Sequence, residues 1–109
     1  MADRSTIIRN LNDAFRTSFT GGVLMLTVRV DALRDEVKAV LLERVRDYNR
    51  FTSENDPEGL HDFGAIYMGN ETFFWQIDCY NLEMLDTSED PADARKTTRV
   101  MTVMHSSDC

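Results

Sequence analysis

The chain has 109 residues, 42% of them hydrophobic, which suits one domain with a single core and leaves too little sequence for a second. Its formal charge of −7 sets up a field that repels phosphates, so direct binding of nucleic acid is disfavoured. No run approaches the ~18 apolar residues of a membrane span, the start MADRSTIIRN lacks a charged-then-apolar signal design, and Cys79 and Cys109 do not make a disulfide framework. The expected setting is the cytoplasm, with both thiols free.

Residues 5–18 place Ile7, Ile8, Leu11 and Phe15 at helical spacing, with Asp3 or Ser5 as N-cap. Thr20-Gly21-Gly22 breaks that pattern. The run VLMLTVRV (23–30) then predicts a strand with Leu24, Leu26, Val28 and Val30 on one face. Residues 31–50 predict a longer helix capped by Asp31, whose apolar stripe is Leu33, Val37, Val40, Leu41, Val45 and Tyr48. Its late arginines Arg44, Arg46 and Arg50 suit a solvated helix end facing the negative pole of the dipole.

A hairpin is expected next. HDFGAIYM and ETFFWQIDCY flank Gly69-Asn70, a two-residue turn. In that register Met68 faces Glu71, Ile66 faces Phe73, Gly64 faces Trp75, Asp62 faces Ile77, and His61 faces Asp78. One face then carries Ile66, Met68, Phe73, Trp75, Ile77 and Cys79, with Gly64 leaving room for the indole; this is the expected core face. The other mixes Phe63, Ala65, Tyr67, Phe74 and Tyr80 with His61, Gln76 and Asp78, which suits a second packing layer or an exposed binding surface. Residues 81–97 read as an acidic loop interrupted by Pro91, with room for one helical turn near Asp90 to Arg95, and TRVMTVMH (98–105) as a last strand before a frayed SSDC tail. The order predicts an α+β fold: a mostly antiparallel sheet of about four strands with two helices packed on one face.

Charge is unevenly placed. Residues 1–50 hold nine Lys/Arg against seven Asp/Glu, whereas residues 51–109 hold three against twelve. The densest polar string is SENDPEGLHDFG (53–64). His61 facing Asp78, with Asp62 adjacent, could serve as a general base or as an oriented metal ligand. The spacing of Asp56, Glu58, His61 and Asp62 matches no established metal loop, and no serine or cysteine sits in a nucleophile context. Asn55-Asp56-Pro57-Glu58-Gly59 is also turn chemistry, with Asx side chains bonding local backbone and Gly59 supplying a left-handed position. Gly21-Gly22 precedes a strand, so it cannot form a phosphate-binding helix start.

The stretches LNDAFRTSFTGG, FTSENDPEGLHDFGAI, FFWQIDCYN and SEDPADARKTTRVMTVM together resemble a family of small uncharacterised bacterial proteins, classed as a domain of unknown function. The most specific parts are NDPxGxHDFG (Asn55 to Gly64) and SEDPAD (Ser88 to Asp93). The resemblance implies a single domain in the bacterial cytoplasm, of the kind carried by plasmids and other mobile elements, and brings no catalytic residues.

The expectation is a non-enzymatic acidic interaction protein that binds a basic surface of a protein partner, without cofactor or metal and without contact to membrane or nucleic acid. Its most specific version is an anti-CRISPR-like inhibitor that imitates phosphates on a nucleic-acid-binding defence complex. Asp56, Glu58, Asp62, Tyr67, Phe74, Glu89, Asp90 and Asp93 are the expected contact residues, on a monomer or homodimer. The alternative is a small hydrolase or metal-assisted enzyme centred on His61, Asp62 and Asp78.

Overall fold

A computed structural model describes residues 3–108. The first helix, α1 (Arg4–Ser18), is capped by Asp3, whose carboxylate accepts the Thr6 N–H at 2.8 Å and is thereby held below its ordinary pKa. It stops where Phe19 turns left-handed (φ 58°) and returns its N–H to the Phe15 carbonyl.

Strand β1 (Gly22–Leu26) is shorter than the expected 23–30. The Thr27 N–H donates to Val103 O, and its hydroxyl donates to Asp108 at 2.8 Å; the chain then enters a single helical turn, α2 (Val28–Asp31). A continued strand would keep Val28 and Val30 on one face. The turn separates them, leaving Val28 88% exposed and Val30 fully buried.

Helix α3 (Asp35–Arg46) is also shorter than the expected 31–50. Arg34 occupies its N-cap, and Asp31 instead pairs with Lys38 at 3.3 Å. Leu41 and Val45 are buried, Leu33 and Tyr48 join the core from the flanking segments, and Val37 and Val40 are exposed. Only the second half of the helix therefore reaches the sheet.

The hairpin of β2 (Phe63–Met68) and β3 (Glu71–Tyr80) has the expected register, with Gly64 opposite Trp75 and Ile66 opposite Phe73. At Asp62 the pairing continues through an Ile77 N–H to Asp62 O bond of 2.8 Å. Gly69 adopts φ 61° and Asn70 does not, as in a type II′ turn. After the 81–97 loop and its 3-10 turn Ala94–Lys96 comes β4 (Thr98–His105). The tail is held rather than frayed: Ser106–Asp108 form a 3-10 turn, and Asp108 accepts both the His105 N–H at 2.9 Å and the Thr27 hydroxyl. Cys109 lies outside the described residues.

The strand order is β1-β4-β3-β2, with β1 parallel to β4 and the other pairs antiparallel. The expected α+β architecture holds, and the helices pack on one face, where Phe15, Leu41 and Val45 meet Ile66, Phe73, Trp75, Ile77, Met101 and Val103. Each helix-forming stripe needs an apolar surface and this face supplies it. The opposite face is open: Val23, Met25, Phe63 and Tyr67 are exposed, and Phe74 stacks on Phe63 at 5.5 Å between ring centroids.

Gly64 is the tightest point of this packing. A Cβ there would overlap Trp75 Nε1 and stand 2.8 Å from Tyr48 Cζ. Gly64→Ala is expected to lower stability by about 1–3 kcal/mol through overpacking, read as a lower urea midpoint with an unchanged slope.

Candidate functional site

The acidic string before β2 folds as a turn built on Asp56. Its Oδ1 accepts the amides of Leu60 at 3.1 Å and His61 at 3.3 Å, and Gly59 between them adopts φ 68°. These bonds draw His61 itself into the left-handed region at φ 53°, which swings its ring off the line of the hairpin. The expected His61–Asp78 pair is consequently not formed. Instead Nδ1 meets the two carboxylate oxygens of Asp13 at 2.9 and 3.0 Å, Nε2 lies 3.6 Å from Asp56, and the ring stacks on Phe51 with centroids 3.7 Å apart.

Asp13 belongs to a polar row on α1 that sequence patterning missed. Arg9 donates to Gly59 O at 3.2 Å, Asn12 to Leu60 O at 2.9 Å, and Asp13 holds His61, so three successive side chains fix the string from one helix face. Arg16 completes the row. The residue is 3% exposed, and its guanidinium donates to Asp13 at 3.1 Å and to the Val45 and Arg46 carbonyls at 3.0 Å, closing the end of α3. Trp75 and Phe51 lie beneath it at 5.2 and 5.6 Å. Asn12 also accepts from Arg99 Nε at 2.7 Å, and Arg99 Nη2 donates to Pro91 O at 2.6 Å, which carries the network into the second acidic loop. One signal was present: Asn12 stands between Ile8 and Phe15 on the buried stripe, where an unpartnered amide would be costly.

The second motif, SEDPAD, is likewise fastened internally. Asp90 bonds Arg4 and the Ala92 N–H, each at 3.2 Å, while the Ser88 and Thr97 hydroxyls meet at 2.7 Å beneath the loop. Asp93 accepts the Arg95 N–H at 2.9 Å, a bond that lowers its pKa. Glu58 and Glu89 point to solvent, Asp56 is turned inward, and Tyr67 is 70% exposed on the open face. Asp78 lies on that face too, where it accepts from Gln76 at 3.2 Å.

Antiparallel pairing gives these loops a common location. β2 begins, β3 ends and β4 begins at the same end of the sheet, so residues 53–62 and 81–97 come together there. They carry nine Asp/Glu against Arg95 and Lys96. Asp62 registers the consequence: burial raises its carboxyl above the usual 3.8, and Asp56, Glu58 and Asp78 add to the shift. Among the described residues, no three His, Cys, Asp or Glu side chains converge as a metal-holding group, and no helix is long and apolar enough to cross a membrane.

A family model described as "Protein of unknown function (DUF3768)" matches residues 26–108. Neither the curated proteins nor the solved structures contain a match.

Arg16→Met is expected to cost ~3 kcal/mol, because it strands the Arg46 carbonyl and removes a buried donor from the Val45 carbonyl and the Asp13 carboxylate; chemical denaturation measures it. Asp62 acts in the opposite sense. Its raised pKa makes the ionised form unfavourable in the folded chain, so it withdraws stability as pH rises from about 3.8 through the folded value and leaves the loss constant above. Asp62→Asn is expected to raise the melting temperature at pH 7, with the gain vanishing in acid.

Proposed function

The chain belongs to the family of proteins of unknown function DUF3768, and from its surface we infer that it is a non-enzymatic interaction protein that receives a basic surface of a protein partner. The observation that carries this reading is the meeting of both acidic loops at one end of the sheet, next to an open face whose strands bear one charged side chain, Asp78, among the described residues. An aromatic and apolar centre with a charged rim is the common anatomy of a protein interface. Phe63, Tyr67 and Phe74 form the centre; Glu58, Asp62 and Glu89 stand on the acidic side.

The motif architecture supports the same reading. The acidic groups are held on fixed turns by Arg9, Asn12, Asp13 and Arg99, so they enter an interface already ordered and lose little conformational freedom there. His61 stacks on Phe51 and turns both ring nitrogens toward carboxylates, a geometry suited to bracing a loop. In its most specific form, the acidic array imitates phosphates and occupies the nucleic-acid groove of a bacterial defence complex such as a CRISPR effector.

Affinity purification from the native host, followed by titration of the recovered partner, tests this. Affinity is expected to fall by about tenfold or more as salt rises across the physiological range, and Glu58→Lys with Glu89→Lys to slow association while the fold is retained. Affinity that is flat in salt contradicts phosphate imitation; a partner with an acidic contact surface contradicts the whole reading.

A further inference from the structure

β2 is an outer strand, and the phase of its pairing decides what its free edge offers. The Ile77 N–H to Asp62 O bond makes Asp62 an inward-bonding position, so Gly64, Ile66 and Met68 also direct their backbone groups to β3. Phe63, Ala65 and Tyr67 direct theirs outward. Arg44 Nη1 reports this orientation directly, donating to the outward Tyr67 carbonyl at 2.9 Å.

This edge lacks the usual protection. FGAIYM contains no charge and no proline, and its ladder with β3 runs without a bulge, whereas exposed edges are normally blunted by those devices. The end of α3 touches this edge through Arg44 on the Tyr67 carbonyl, an oxygen with a second lone pair. A cleft of about 550 Å³, lined by Arg44, Asp47, Tyr48, Arg50, Ala65 and Tyr67, lies beside the strand on the helix side.

We propose that β2 is a dimer interface, pairing antiparallel with β2 of a second copy about a twofold axis at Ala65 and joining two sheets into one of eight strands. Three features select a second copy over a foreign strand. A twofold axis needs a self-complementary register, and the outward set is centred on its smallest member: Ala65 meets Ala65, and Phe63 meets Tyr67 of the second copy. Both aromatics project from the open face, where such cross-strand pairs stabilise a sheet. The cleft carries both signs of charge, Asp47 between Arg44 and Arg50, which suits an identical cleft turned by the axis better than a peptide of one sign. Antiparallel pairing also sends the two 53–62 loops to opposite ends of the new sheet, which limits repulsion between chains of charge −7.

Sedimentation of the full chain is expected to give twice 12.5 kDa. Ala65→Glu, which sets like carboxylates opposite each other on the open face, is expected to return the monomer with unchanged circular dichroism. In a Cys79→Ser, Cys109→Ser background, Ala65→Cys is expected to form a disulfide-linked dimer on mild oxidation, since directly opposed residues lie ~5.5 Å apart between Cα atoms. Phe63→Cys faces Tyr67 instead and is expected to cross-link far less. A monomeric native chain overturns the proposal, including one that binds an added peptide strand; so does a dimer that survives Ala65→Glu, or equal cross-linking at 63 and 65.

Discussion

The buried Arg16 guanidinium is the contact on which the arrangement depends. It lies where α1, the end of α3, the segment at Phe51 and the sheet at Trp75 meet, and it donates to two carbonyls at the end of α3, of which Val45 O also accepts the Tyr48 N–H. A cation at that site is costly to desolvate unless its donors are used. Here both Nη atoms donate, the buried Nε has no hydrogen-bond partner among the described residues, and the rings below accept the remaining positive field. Arg16 in turn orients Asp13, Asp13 takes His61, and the His61 ring returns to Phe51, closing a circuit between core and loop.

From that circuit follows the placement of charge. Loop 53–62 carries four acidic residues and would repel both itself and its neighbour if left loose. Donors from α1 hold its backbone at Gly59 and Leu60, and Arg99 holds the second loop at Pro91. Negative charge is thus concentrated by positive and amide side chains beneath it, while the outer carboxylates of Glu58 and Glu89 face water. The fold converts a bias in sequence half into a polarity of the molecule: an acidic end, an open face with Asp78 as its one charged strand residue among those described, and an outer strand edge.

Much of the framework was legible in the chain. Alternation in FGAIYM and ETFFWQIDCY is strong because one face is buried, so register and the role of Gly64 followed from the turn. The misplaced boundaries have a common cause. Val28, Val30, Val37 and Val40 are apolar, but tertiary space decides which of them is covered, and local pattern does not contain that information. His61 was misassigned because the strand pattern was extended through it; the Asp56 carboxylate, by capturing two successive amides, delays the start of the strand to Phe63, two residues later than the pattern suggested, and turns the ring away. Asp13, Arg16 and Arg99 were invisible for another reason: each has a partner on a distant segment, at separations of 48, 29 and 87 positions, and nothing in one sequence pairs them.

Helix α1 clasps the SENDPEGLH string into a rigid platform. Native-state hydrogen exchange at the Leu60 and His61 amides, compared between the native chain and Asp13→Ala, measures that clasp. Both amides are expected to be protected in the native chain and to exchange markedly faster in the variant, with the Trp75 and Val103 amides unchanged. Exchange of Leu60 and His61 at the rate of an unstructured peptide in the native chain, or indifference to Asp13→Ala, would contradict it.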